Sequence, residues 1–84
     1  MPYIHRDRRI DIDRFHNPWT MGELNYAITT MCNKFLADHE APVPSYTDLN
    51  AVIGVLECVK LEYYRRVVAP YEDIKKTQNG DVYP

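Results

Sequence analysis

Two stretches of the chain carry apolar residues at the spacing of an α-helix. The first follows a capping sequence, Thr20 to Glu23, in which the threonine oxygen accepts from a free amide and the glutamate reaches back to the cap. Its apolar positions then recur three and four residues apart, at Leu24, Ile28, Met31 and Phe35. This pattern predicts a helix over residues 20–39, ending before the prolines at 42 and 44.

The second stretch predicts a longer helix over residues 45–69. Ser45 can cap it and Asp48 places an acid in its first turn, while Pro70 marks its predicted end. The stripe consists of Leu49, Val52, Ile53, Leu56, Val59, Tyr63 and Val67. Further apolar residues lie partly outside it, so this helix has more apolar surface than one partner helix can cover.

The flanking segments are less regular. Residues 1–19 form an arm in which Ile10 and Ile12 alternate with charged residues, a pattern too short to separate a strand from one helical turn. Residues 70–84 predict one or two helical turns and a stop at Asn79–Gly80. The apolar residues of this tail indicate that it docks on something, such as a neighbouring subunit.

Together these elements predict a mainly α fold. We expect one domain, residues 1–84, built as an antiparallel two-helix hairpin with an N-terminal arm and a short C-terminal helix or tail. A chain of 84 residues buries only roughly 60 to 65% of its unfolded surface, so a lone monomer is marginal. Disulfides, a metal or oligomerisation usually compensate for this.

Oligomerisation is the expected solution. Cys32 and Cys58 lie inside helical patterns, the start of the chain does not resemble a signal peptide, and no apolar run is long enough to span a membrane. The three histidines are far apart and show no metal-binding spacing. The net charge of −2 gives no global attraction to nucleic acid.

The densest polar cluster runs from Lys60 to Arg66. Arg65 and Arg66 offer guanidinium forks for phosphate or carboxylate, and Tyr63 and Tyr64 offer stacking surfaces, so the cluster is suited to an anionic aromatic ligand such as a nucleotide. A structural interpretation is equally open, in which Glu62 pairs with an arginine on a solvated face. The sequence does not separate the two.

Two further sets of residues have the same ambiguity. Tyr3, Arg8 and Arg9 belong to an arm that can close over phosphates, but nearby aspartates nearly cancel its charge, so an arm held by salt links is the alternative. Asn25 and Tyr26 can read a base edge or simply form contacts within and between helices.

Catalysis and cofactors are not expected. The paired acids Asp11/Asp13 and Glu72–Asp73 are surface-type pairs whose members point apart on a helix. Neither cysteine has an adjacent base, and the chain has no glycine loop of the kind that holds phosphates.

Residues 22–29 (GELNYAIT), 54–73 and 79–83 (NGDVY), with the opening MPYI, resemble a family of small uncharacterised bacteriophage proteins, a domain of unknown function. The resemblance implies a phage-encoded accessory protein acting in the host cell cytoplasm. Small helical phage proteins often counter host immunity, so we expect a homo-oligomeric sponge that sequesters a nucleotide-type signalling molecule. The alternative is a helical inhibitor or adaptor that binds a host defence protein.

Overall fold

A computed structural model describes residues 1–14, 16–39 and 45–84 and shows a mainly helical chain, which confirms the predicted fold class. Its helices are α1 (Arg6–Asp13), α2 (Met21–His39), α3 (Tyr46–Tyr63) and α4 (Ala69–Asn79), with a π-helical turn at Tyr64–Val68. No strand occurs in these ranges. The chain divides into two units, Met1–Asp48 and Leu49–Pro84. The antiparallel hairpin, the single domain and the oligomer stay predictions, and the prolines at 42 and 44 lie outside the described residues.

In the first unit the arm contains a short helix, which decides between the two forms open from the sequence. His5 caps α1, its Nδ1 accepting from the amide of Asp7 at 3.2 Å. Ile12 is only 8% exposed on α1, which packs against α2. The two isoleucines of the alternating pattern therefore differ in burial, because Ile10 is 48% exposed.

The capping sequence before α2 forms the predicted bond to the Thr20 hydroxyl, but its glutamate bonds to a different amide from the predicted one. The Thr20 hydroxyl accepts from the amide of Glu23 at 3.1 Å. The Glu23 carboxylate accepts from the amide of Trp19 at 2.9 Å, one residue before the cap. Both bonds satisfy amides that a helix start would otherwise leave free.

In the second unit the predicted stop of the long helix at Pro70 is wrong. The backbone stays helical through the π-helical turn into α4, which places Pro70 in its first turn. The amide of Ala69 donates to the carbonyl of Tyr64, five residues back. This wider turn accommodates a proline that lacks an amide and would clash with a carbonyl of an ordinary α turn. Gly80 ends α4 at φ 92°, as its sequence predicts.

The second unit is largely unpacked. None of the residues of α3, the π-helical turn or α4 is buried. Val82 and Tyr83 are 90% and 80% exposed, so docking of the tail on a neighbouring subunit stays a prediction. A helix with apolar side chains on much of its circumference normally has a packing partner.

Candidate functional site

Arg8 and Glu23 form a part-buried polar contact in the first unit. Arg8 Nη2 and Nε donate to the two carboxylate oxygens of Glu23 at 2.6 and 3.0 Å, and Nη1 donates to Asp11 at 3.1 Å. Glu23 is 7% exposed. The bonds from Arg8, followed by the one from the Trp19 amide, lower the pKa of Glu23 to about 2. Arg8 therefore joins α1 to the start of α2.

The other polar residues predicted in this unit also have partners. Arg9 Nε donates to the carbonyl of Ile4 at 2.8 Å, and its guanidinium lies 5.8 Å from the centre of the Tyr26 ring. The Tyr26 hydroxyl donates to both oxygens of Asp13, at 2.9 and 3.1 Å. Burial, and then this bond, raise the pKa of Tyr26. The geometry agrees with an arm held by internal links.

Asn25 and Tyr3 are less constrained. The side-chain oxygen of Asn25 accepts from the Thr29 hydroxyl at 3.1 Å, one turn further along α2. Tyr3 is 76% exposed. The bond of Asn25 and the exposure of Tyr3 are compatible both with base recognition and with a purely structural role.

In the second unit most of the predicted cluster is neutralised within its own helix. Lys60 Nζ lies 3.2 Å from a carboxylate oxygen of Glu57. Arg65 pairs with Glu62. The Tyr64 hydroxyl donates across the π-helical turn to Glu72, and this bond raises the pKa of Tyr64. Such exposed pairs contribute little to stability, but they use up the charges that a ligand would need.

Arg66 differs from its neighbours. In residues 45–84, as the structure describes them, its guanidinium has no hydrogen bond and no ion pair. It lies with Tyr63, which is 61% exposed, along an open groove on α3. The groove is apolar for most of its length, and its aliphatic lining includes Ala51, Val55, Val59 and Val67. Within residues 45–84, an unpaired cation and an exposed aromatic ring therefore line the same apolar groove.

The structure thus separates the predicted site into two groups. Arg8, Arg9 and Tyr26 come together in the first unit, and residues 60–66 come together in the second. Sequence reasoning missed the acidic partners Asp13 and Glu72, and it recognised Glu23 only as part of a cap. Asp13 and Tyr26 are too far apart along the chain for helical spacing to reveal their contact.

The described ranges contain neither a cluster of metal ligands nor a helix that could span a membrane. In residues 1–14, 16–39 and 45–84, no group of three His, Cys, Asp or Glu side chains lies close enough together to hold a metal ion. Over the same part of the chain, each helix is too short or too polar to cross a membrane. Cys32 and Cys58 are free thiols.

Comparison with known proteins gives a family and nothing more specific. No curated protein and no solved structure matches the chain significantly. A family model described as "Domain of unknown function (DUF6899)" matches residues 1–82, almost the whole length. The chain therefore belongs to the DUF6899 family.

Proposed function

We propose that this protein is a non-catalytic binder that self-associates and sequesters an anionic, aromatic ligand of the nucleotide type. The observation that carries the proposal is the unpaired guanidinium of Arg66 beside the exposed ring of Tyr63, on the apolar groove of α3. Neighbouring Lys60 and Arg65 are already paired with acids. Arg66 is therefore the cation of this cluster that is available to a ligand.

The chemistry of the groove fits such a ligand. A guanidinium presents five N–H donors in a rigid fork and binds phosphate with two parallel hydrogen bonds. A tyrosine ring stacks on a nucleobase, and aliphatic side chains cover the remaining face of the base. Glu62 also lines the groove, but its charge is balanced by Arg65. The net local charge that a ligand meets is positive.

We place this activity in a phage-infected bacterium. The sequence blocks that resemble phage proteins support the assignment, and small accessory proteins of phages often act against host immunity. An anti-defence sponge in the host cell cytoplasm would capture a nucleotide second messenger without converting it.

Calorimetric titration tests the proposal. The purified chain is titrated with cyclic dinucleotides, cyclic trinucleotides and cyclic ADP-ribose isomers. We expect saturable binding of at least one of them, and recovery of that compound unchanged after denaturation. Arg66→Ala should weaken binding by about tenfold or more, since a charge-assisted bond is lost.

Lys60→Ala is the matched control. It also removes one positive charge from the cluster, but Lys60 is paired with Glu57, and neither of these residues lines the groove. The affinity of this variant for the nucleotide should stay within a few-fold of that of the native chain. Flat titrations for the whole panel, or equal losses in the two variants, would contradict the assigned role of Arg66.

A second candidate function, binding to a host protein, is favoured by the exposed tail. Val82 and Tyr83 are 90% and 80% exposed, and the tail has its own local turn, with the amide of Tyr83 donating to Asp81 at 2.9 Å. An ordered apolar tip of this kind suits insertion into a pocket of another protein.

Removal of residues 81–84 separates the two functions. The shortened chain should keep its helical circular dichroism, because α4 ends at Asn79. A stoichiometric host complex that forms with the full chain and disappears with the shortened one, without nucleotide absorbance, would favour the protein-binding function. Unchanged nucleotide capture by the shortened chain would favour the sponge.

A further inference from the structure

We propose that two copies of the chain pair antiparallel through α3 and α4, centred on Tyr64, so that Glu62 of each copy binds Arg66 of the other. The inference rests on the self-association in the proposed function but not on its ligand. It identifies the second copy as the occupant of the apolar face of these helices.

The face is continuous because of the π-helical turn. Residues four apart on an α-helix drift by about 40° around its axis, so a long ladder at this spacing leaves the face. A π-helical turn holds more residues per turn and reverses much of that drift. Val55, Val59, Tyr63 and Val67 line one groove, and the wider turn lets this row of exposed apolar residues continue in α4 with Tyr71 and Ile74.

The area of this face matches a protein interface. Its six side chains are 49 to 62% exposed, which corresponds to roughly 500 Å² of apolar surface. A standard interface buries about 800 Å² per partner, of which about 57% is apolar. One copy thus offers the apolar area that one partner contributes to a stable dimer.

Charge complementarity sets the orientation. Glu62 and Arg66 are one turn apart and lie on the same flank of the apolar face. In an antiparallel pair related by a two-fold axis, the same flanks meet, so Glu62 lies level with Arg66 of the second copy when the centre is Tyr64. The contact occurs twice. A parallel pair in register would place Arg66 level with Arg66.

A ligand stacked on Tyr63 competes with this pairing for one surface, because the second copy covers Tyr63 and the apolar floor of the groove. Glu62 receives its bond from Arg65 at one carboxylate oxygen, which leaves the other oxygen for the second copy. A carboxylate occupies one edge of a guanidinium and leaves N–H donors at the other edge. The interchain pair would therefore hold Arg66 in place, with its remaining donors at the edge of the interface.

Charge reversal tests the pairing in the full chain without ligand. We expect Glu62→Arg and Arg66→Glu to weaken self-association at least tenfold each, because each places like charges together at both contacts. An equimolar mixture of the two variants restores both attractions, so it should form heterodimers. Native mass spectrometry separates the heterodimer from both homodimers by mass. The double variant in one chain should pair with itself.

The control reverses charges away from the face. Asp73 and Lys76 form an exposed pair on α4, with Lys76 Nζ 3.8 Å from Asp73 Oδ1. A mixture of the Asp73→Arg and Lys76→Glu variants should show no preference for heterodimers. If the Glu62 and Arg66 variants unfold alone, recovery of helical circular dichroism on mixing supports the pairing. Failure of both the mixture and the double variant to associate overturns it.

Oxidation of a Cys32→Ser variant checks the register. An antiparallel pair centred on Tyr64 separates the two Cys58 positions by about 18 Å along the axis, too far for a disulfide. Rapid Cys58 cross-linking would overturn the register. A native dimer that binds no nucleotide would support the pairing and contradict the ligand function. Nucleotide capture by a native chain that stays monomeric would support the ligand function and contradict the pairing.

Discussion

Acid titration of Glu23 is a direct test of the contact that joins α1 to α2. Two hydrogen bonds from Arg8, at 2.6 and 3.0 Å, and one from the Trp19 amide at 2.9 Å stabilise its charged form. They lower the pKa of Glu23 from the ordinary 4.5 to about 2. At pH 4.5 about one Glu23 in 300 should then be protonated, instead of one in two.

The same shift sets the sign of the stability change. The folded chain holds the Glu23 proton less tightly than the unfolded chain, so folding is favoured when the carboxyl is charged. This contribution is complete above about pH 4.5 and is lost as the pH falls toward 2. The docking of α1 on α2 should therefore weaken in acid before the helices themselves melt.

Carbon-detected NMR of the Glu23 side chain measures the effect. In the native chain the carboxyl resonance should have its midpoint near pH 2. In Arg8→Gln the main cause of the low pKa is removed, so the midpoint should move toward 4.5. Arg6→Gln, which removes an exposed charge from the same helix, should leave the midpoint in place.

A midpoint near pH 4.5 in the native chain would refute this account of the contact. So would an unchanged midpoint in Arg8→Gln, because the largest cause of the low pKa would then lie elsewhere. Equal effects of the Arg6 and Arg8 variants would point to general charge, and not to the two directed bonds.

Three further predictions concern stability and are checked by urea denaturation followed by circular dichroism. Thr20→Ala removes the oxygen that caps α2 and should cost about 1 kcal/mol, whereas Thr20→Ser should cost little. Ile12→Ala removes the buried apolar side chain of α1 and should cost about 2 to 3 kcal/mol, against less than about 1 for the exposed Ile10→Ala. Gly54→Ala should stabilise α3 by about 1 kcal/mol, because no atom lies within 4 Å of the added methyl group, and a net loss would show that another chain packs there.

Local signals in the sequence were sufficient for the helix ends that depend on neighbouring residues. The bond between Thr20 and Glu23 spans three residues, and Gly80 adopts a positive φ because it has no β-carbon. The predicted stop at Pro70 failed because proline terminates an α turn but is accommodated by a π turn. The sequence did not reveal that the backbone would widen there.

Composition and spacing alone determined that this chain is mainly helical, that its second helix has surplus apolar surface, and that arginines and tyrosines cluster at residues 60–66. Only the tertiary structure decided which charges are free. It brought Arg8 to Glu23 across 15 residues, and it paired Arg65 with Glu62 while Arg66 remained unpaired within residues 45–84. Adjacent arginines are equivalent in a sequence, but on a helix they point about 100° apart and meet different neighbours.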